Sequence, residues 1–415
     1  MQLVEQHVIK RGDTRYDTID EAAFKSKNLY NAANYEIRQA FIHQDKYLSY
    51  NTVQKQMQDH DAYKALPRKV SQQVLMLLDK NWKSYFKACE AYRADPSKFL
   101  GHPKLPKYKD KVKGRNILIY TEQAVSLKAL KKGYIQLSML PIRVKTRLTR
   151  VDQVRIVPRN GYYVVEVIYE RKEQQAQVDP NLHAGIDIGV NNLAAITSNK
   201  PDFVPRLING RPVKSINQYY NKRKAELQKK LGKTGSTKRM ERLTNKRNRR
   251  ITHYLHTASK HIIDLLIREG IGTLVIGKNP NWKQAVEIGK RNNQNFVQIP
   301  HARFIEMLSY KAQLVGIRVI ITEESYTSKC SFLDNEPIGK HACYMGKRVK
   351  RGLFRTASKW YINADINGSY NIIRKVAPKI FEGVEGLVVH PVRMPSQSKQ
   401  RCNVTEHDIF GTITS

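Results

Sequence analysis

The stretch His183-Ala-Gly-Ile-Asp-Ile-Gly-Val-Asn-Asn192 sets one carboxylate, Asp187, in the middle of an apolar, strand-like run. A carboxylate so placed loses its hydration and needs a partner to compensate for it. A divalent cation is the partner that chemistry favours when a second acid occurs in an equally odd setting. Asp365 is that second acid, in Ile362-Asn-Ala-Asp-Ile-Asn-Gly-Ser-Tyr-Asn-Ile-Ile373. Gly368, Ser369 and Ile372 follow it at helical spacing, and Gly368 lets backbone pack close beside the acid. The plainer alternative for Asp365, the weaker one even when it is taken alone, is a first-turn acid satisfying free helix N–H groups. Paired with Asp187, it points to a metal-dependent site for phosphodiester cleavage. Such hydrolysis draws carboxylates from separate elements so that two Mg²⁺ ions can sit ~3.5–4 Å apart. Mg²⁺ takes oxygen ligands and keeps several waters, so few acids are needed.

Charge says what lies in the site. The 415 residues carry 73 Lys+Arg against 36 Asp+Glu, a formal net charge of +37 and a pI near 10.0. So large an excess repels itself unless a polyanion neutralises it. Nucleic acid is the favoured partner, and a membrane surface is the weaker one. Hydrophobic residues at 40% exclude a basic disordered tail, and the length suits two or three domains. No apolar run approaches the ~18 residues of a membrane span, and Met1-Gln-Leu-Val-Glu-Gln-His7 lacks the pattern of a secretory signal. Cys89, Cys330, Cys343 and Cys402 are scattered and read as reduced, cytosolic thiols.

Along the chain, Leu3, Val4, Val8 and Ile9 suggest a first strand. Helical stripes follow at Leu29, Ala33, Ile37 and Phe41 and from Val70 to Phe86, and their plain role is core. Gly101-His-Pro-Lys-Leu-Pro-Lys-Tyr-Lys109 breaks the helices, since two prolines cannot continue one. Strands are then expected at Ile117–Tyr120 and Tyr134–Leu137, with a hairpin over Gln153–Glu170. Its tip is Asn160-Gly161, the pair that best supplies the positive φ angles of a tight turn. Residues 1–15 and 101–175 thus read as a β-barrel interrupted by a helical insertion at 16–100.

The polar stretch from Arg171 to Asp179 marks a boundary. Beyond it come strands at Ile186–Ile188, Leu193–Thr197, Thr273–Ile276 and Ile317–Ile321, a helix from Ala302 to Leu314, and the helix carrying Asp365. That order suits an RNase H-like α/β layer over 180–325 and 355–380. Within it, 211–270 forms a basic helical insertion, in which residues 211–250 hold 15 Lys+Arg against Glu226 and Glu241. The imbalance is too lopsided for salt-bridged surface and points to phosphate contact. From position 381 to 415 the chain reads as a tail.

Three stretches carry a resemblance: Gly185-Ile-Asp-Ile-Gly-Val-Asn-Asn-Leu-Ala194, Tyr326-Thr-Ser-Lys329 and Asn363-Ala-Asp-Ile-Asn-Gly-Ser-Tyr-Asn-Ile372. They resemble the signatures of TnpB (OrfB) proteins of bacterial insertion sequences, RNA-guided DNA nucleases related to type V CRISPR effectors. The resemblance implies a RuvC-like nuclease domain, an oligonucleotide-binding-like wedge barrel and a helical recognition insertion. It also implies a guide RNA from the transposon end, a double-stranded DNA target, and a bacterial cytoplasmic setting, nucleoid-associated when on DNA. Oligomeric state stays open.

This chain departs from that pattern twice. The family's glutamate after the fourth strand is replaced in Val275-Ile-Gly-Lys-Asn279 by Gly277, while the neighbouring strand ends Ile321-Thr-Glu-Glu-Ser-Tyr-Thr-Ser328. We expect the third acid to have moved to Glu324, with Glu323 as the alternative, because alternation leaves only one facing the site. Gly277 would remove the side chain in its way. The expected Mg²⁺ ligands are therefore Asp187, Glu324 and Asp365. In the second departure, the zinc-ribbon insert at 326–354 keeps only Cys330, Cys343 and nearby His341, short of four regular ligands, so no zinc is expected.

Phosphate-binding candidates are Lys104, Lys107, Lys109, Lys222, Arg223, Lys238, Arg239, Lys246, Arg247, Arg249 and Arg250, with Lys347, Arg348, Lys350 and Arg351 in the insert. Tyr108 could stack on a base or pack a turn. The function expected is RNA-guided DNA cleavage. A nuclease-inactive RNA-guided repressor of transcription is the chief rival, and a transposase that joins DNA ends without guide RNA is a third reading.

Overall fold

The computed structural model describes residues 1–232, 234–279 and 289–394; Cys402 and the end of the expected tail lie outside them. The chain divides into two compact units, one over residues 2–171 and one beginning at Lys172.

In the first unit, β1 (Gln2–Lys10) is followed by four helices, α1 (Tyr16–Gln44), α2 (Tyr50–Met57), α3 (Asp61–Lys64) and α4 (Arg68–Ala94). Then come β2 (Leu118–Thr121), α5 (Leu127–Lys131), β3 (Tyr134–Leu137), β4 (Leu140–Lys145), β5 (Gln153–Arg159) and β6 (Tyr162–Glu170). The hydrophobic stripes pack as core: Leu29, Ala33 and Ile37 are buried, and Phe41 lies 5.4 Å from the Trp82 ring. Trp82 Nε1 donates to Asn34 Oδ1 at 3.0 Å, so the buried indole keeps a partner. β5 and β6 close at Arg159↔Tyr162 around Asn160-Gly161, where only Gly161 takes a positive φ, 82°.

The expected barrel is not a closed ring. The strands form a four-stranded sheet in the order β1-β6-β5-β2 and a separate ribbon of β3 and β4. β2 stops at Thr121, and a helical turn and α5 intervene before β3, leaving one isolated bridge, Val125↔Leu137, between that segment and the ribbon.

The second unit opens with a meander of β7 (Asp179–Asp187), β8 (Asn192–Ser198) and β9 (Arg206–Asn209). Next come α6 (Arg211–Leu231), α7 (Lys238–Arg268), β10 (Ile271–Gly277), α8 (Lys290–Val297), α9 (His301–Gln313) and β11 (Arg318–Thr322). The insert carries β12 (Lys347–Lys350), β13 (Leu353–Arg355) and β14 (Tyr361–Asn363), followed by α10 (Ala364–Val376) and β15 (Val392–Arg393). The main sheet runs β11-β10-β7-β8-β9-β15. β10 is parallel to both β7 and β11, whereas β8 is antiparallel to β7. β10 is buried along its whole length, as a parallel strand covered on both faces must be. Among the described residues no helix is long and apolar enough to cross a membrane.

Helix α10 lies against β7 unusually closely. A Cβ on Gly185 would stand 2.5 Å from the Ser369 carbonyl oxygen. In its absence, Ser369 Oγ donates to the Gly185 carbonyl at 2.9 Å and meets Thr197 Oγ1 at 2.9 Å. This approach sets the helix start beside the end of β7, where both aspartates are.

Candidate acidic active site

Asp187 is the last residue of β7, level with Ala195 of β8. Gly368 of α10 faces it; a Cβ there would come within 2.9 Å of Asp187 Oδ2. Asp365 lies in the first turn of α10, but it does not cap the helix. Asn363 does, its side chain accepting from the N–H groups of Asp365 at 3.0 Å and Ile366 at 3.3 Å. The Asp365 carboxylate is thereby left to face the site, where Oδ2 accepts from Asn192 Nδ2 at 2.7 Å and Oδ1 lies 3.4 Å from Arg348.

Gly277 ends β10 in register with Thr322 of β11. Glu323 and Glu324 both lie past the end of that strand, so a loop, and not pleat alternation, decides where they point. Glu323 is exposed and accepts from Ser325 Oγ. Glu324 turns inward over Gly277, where a Cβ would stand 2.5 Å from both its Cγ and its Oε1 and 2.7 Å from Ile372 Cδ1. Its backbone is fixed by Asn279, whose Oδ1 accepts the Glu324 N–H at 2.8 Å, and by Thr327, whose Oγ1 donates to its carbonyl at 2.9 Å.

The electrostatics follow from this convergence. Burial raises the Asp187 carboxyl well above the ordinary aspartate range; the negative charges of Glu324 and then Asp365 push it further, and Arg348 opposes them. Burial pushes Glu324 up to about 7. Its Oε1 is a buried acceptor without a hydrogen-bond partner. Three acids thus repel one another in a desolvated place, with a lone acceptor among them. The donors are all hard oxygens, which suits Mg²⁺ and not zinc. Among the described residues no group of three or more His, Cys, Asp or Glu is placed so that it could hold a metal ion. An open set is the ordinary condition for Mg²⁺, which completes its sphere with water and substrate phosphate.

Other sequence candidates divide. Lys222, Lys238, Arg239, Lys246, Arg249 and Arg250 are exposed on α6 and α7, and Lys347, Arg348, Lys350 and Arg351 are exposed in the insert. Arg247 is not a free cation: it donates to Asn217 at 2.8 Å and to the Gln298 carbonyl at 3.0 Å, pinning α6 to the segment after α8. Arg223 pairs with Glu226 at 2.5 Å. In the first unit Lys104 and Lys107 are exposed, while Lys109 is half-buried over the Tyr30 ring. Tyr108 is half-exposed, with the Arg38 guanidinium 5.1 Å from its ring.

The residues that sequence reasoning missed are amides. Asn192 supports Asp365, Asn279 holds Glu324, and Asn367 and Asn371 of α10 hold the insert. Asn371 Nδ2 donates to the carbonyls of Thr327 and Cys330 at 2.8 Å, and Asn367 Nδ2 donates to Cys330 O at 2.9 Å while its Oδ1 accepts the Phe332 N–H at 2.9 Å. The i, i+4 spacing of two asparagines on a helix was a readable signal. Cys330 is buried, Cys343 is exposed, and His341 Nε2 lies 2.7 Å from the Pro337 carbonyl.

Two family models match the chain, one described as "Probable transposase" over residues 166–283 and one described as "Cas12f1-like, TNB domain" over residues 301–372. The chain is 26% identical over 411 residues to a TnpB-like protein of Acidianus two-tailed virus, covering 89% of this chain and 84% of the relative. It is 25% identical over 227 residues to the CRISPR-associated endodeoxyribonuclease Cas12f1 of Sulfoacidibacillus thermotolerans, covering 52% and 50%. A cryo-EM structure of a Cas12f1-sgRNA-target DNA complex superposes with a TM-score of 0.53 at 14% identity, covering 85% of this chain and 82% of that one, a likeness of fold. These matches show a chain similar to a TnpB-like protein along most of its length and to a Cas12f1 endodeoxyribonuclease over about half of it.

Proposed function

We propose that this protein is an RNA-guided DNA endonuclease encoded by an insertion sequence, cutting with an RNase H-like (RuvC) site made of Asp187, Glu324 and Asp365. One observation carries the reading: Glu324 reaches from beyond β11 across Gly277 of β10 toward Asp187. A glycine in a fully buried strand, filled by a neighbour's carboxyl group, is what transfer of a ligand between adjacent strands requires. The sheet, with an antiparallel meander followed by two parallel strands and a closing helix, supports the same reading.

Asp187, Glu324 and Asp365 would hold divalent magnesium, two ions in the full site. When bound, the metal supplies a nucleophile at neutral pH and stabilises charge on the phosphate and leaving oxygen. Asn192 orients Asp365 for this task, and Asn279 holds the Glu324 backbone. The exposed lysines and arginines of α6, α7 and the insert would neutralise phosphates, so affinity falls steeply with salt. A guide RNA from the transposon end would select a double-stranded target by base pairing, while the protein grips backbone.

Gly277 also favours a second reading, a repressor that binds DNA through guide RNA without cutting it. One experiment separates them: purify the chain with its co-expressed RNA and assay Mg²⁺-dependent cleavage of matched DNA. Cutting that disappears in Asp187→Ala while RNA binding persists supports the nuclease. Matched binding without cutting establishes the repressor.

A further inference from the structure

A pocket of about 650 Å³ opens beside the acids, sharing Asp365, Asn192 and Arg348 with them and carrying further residues that the cleavage chemistry leaves unassigned. Small-molecule sites have roughly this size, ~300–1,000 Å³, far more than a hydrated cation or a phosphate needs. Its rim is cationic, with Arg211, Lys214, Arg351 and Arg393 set against a single acid, Asp365. Its interior is mixed: Val190, Leu207 and Phe296 give apolar surface, and Asn191 and Asn295 give amides. Anion-binding rim, flat apolar wall and amide donors and acceptors together match a nucleotide.

The wall is built, not incidental. The loop between β7 and β8 is held from several sides: the Gly210 N–H donates to the Asn191 carbonyl at 2.8 Å, Lys214 Nζ donates to Asn191 Oδ1 at 3.2 Å, and His301 Nε2 lies 3.2 Å from the Gly189 carbonyl. Gly210 sits so close that a Cβ would come within 2.2 Å of the Val190 carbonyl oxygen. A loop fixed in this way offers its groups without an ordering cost at binding.

We infer that this pocket holds the deoxynucleotide adjoining the phosphate to be cut, with its phosphate on Arg211 and Arg351 and its base toward Phe296. The inference deepens the nuclease reading by giving the strand a seat one residue from the acids. In that role Arg211 and Arg351 are positioning residues: they hold the strand so that the next phosphate falls at Asp187 and Asp365.

Hydrogen–deuterium exchange of the full chain with its RNA, in EDTA so that no cutting occurs, tests the seat. Thymidine 5′-monophosphate, thymidine and inorganic phosphate are compared at equal concentration. The monophosphate should slow exchange several-fold in residues 189–193 and 207–214 and leave β10 unchanged, and the other two should not. Arg211→Ala with Arg351→Ala should abolish that protection at an unchanged melting temperature. No protection, equal protection by inorganic phosphate alone, or protection that survives the double substitution overturns the inference. These readings are blind to cutting, so a failed cleavage assay with an intact nucleotide footprint would count against the nuclease and not against the seat.

Discussion

Two glutamates in the second unit, Glu336 buried and Glu324 half-buried, sit about a dozen residues apart in sequence and have opposite fates. Glu336 is 2% exposed, and both its oxygens are satisfied: Oε2 accepts the Ser331 N–H at 2.7 Å and Oε1 the Met345 N–H at 3.0 Å. Arg374 of α10 donates to its backbone carbonyl and to Asn371 Oδ1, the latter at 2.8 Å, and Phe332 stacks on Tyr370 with ring centroids 4.4 Å apart. Glu324 keeps an unpartnered oxygen and leans toward another acid. A buried acid with both oxygens bonded braces a fold, whereas one left wanting marks a site prepared for something else. Helix α10 serves both, with Asp365 and Gly368 toward one cluster and Asn367, Asn371 and Arg374 toward the other.

Breaking the site should change chemistry and spare the fold. Asp187→Ala or Asp365→Ala should lower cleavage by roughly 10³-fold or more in single-turnover assays, with guide-RNA affinity unchanged. Asp187→Asn, by removing repulsion, should raise the metal-free melting temperature; a fall would make that acid structural. Breaking the brace should do the reverse. Glu336→Ala strands the buried Ser331 N–H and frees the part-buried Met345 N–H, and should cost about 1–3 kcal/mol in a denaturant titration. If instead it lowers cutting at unchanged stability, the distinction between the two glutamates collapses.

Gly277→Ala offers a sharper test, because alanine ordinarily suits a strand better than glycine. Here its Cβ would strike the Glu324 carboxyl group, so a loss of about 1–3 kcal/mol is expected, with a raised Mg²⁺ requirement for cutting. In Gly277→Ala combined with Glu324→Ala the stability loss should shrink, while Glu324→Gln alone should slow cutting and Glu323→Gln should not.

Acidity separates the clusters more gently. The folded carboxyl of Glu324 titrates near 7 instead of 4.5, so between those values the native chain holds more protons than the unfolded one. Stability without metal should therefore fall as pH rises from about 4.5 to about 7. Glu324→Gln should flatten that slope, and Mg²⁺ should oppose it; an unchanged slope in the variant would assign it to other groups. The smallest effect is expected at the exposed Cys343, where Cys343→Ser should shift stability by no more than about 0.5 kcal/mol. Zinc added or chelated should leave the insert's melting unaltered.

Much of this could be read from sequence because burial writes itself into apolar runs. β7, β8, β10, α9 and α10 announce themselves in that way, and Asp187 and Asp365 stand out against them. The edge strand β15 and the basic β12 are exposed and carry no such run, and β9, between β8 and β15, buries only Leu207 and Ile208, too short a run to stand out. Closure of the expected barrel was not legible, because it depends on pairings between segments that no periodicity encodes. At the site, Glu324 was narrowed to a pair but not separated from Glu323 by the reasoning that counted, since a loop tethered by Asn279 and not strand alternation orients it. Of the amide network only the i, i+4 pair Asn367 and Asn371 left a readable signal, because a lone asparagine looks the same whether it ties two segments or faces water.

The vacancy over Gly277 carries an evolutionary corollary. An ancestor with a glutamate at 277 could not have accepted Glu324 in its present pose, and one that lost the first acid before gaining the second would have stood without it. A side chain at 277 and Glu324 in its present pose exclude each other, so neither position can be exchanged without consequence for the other.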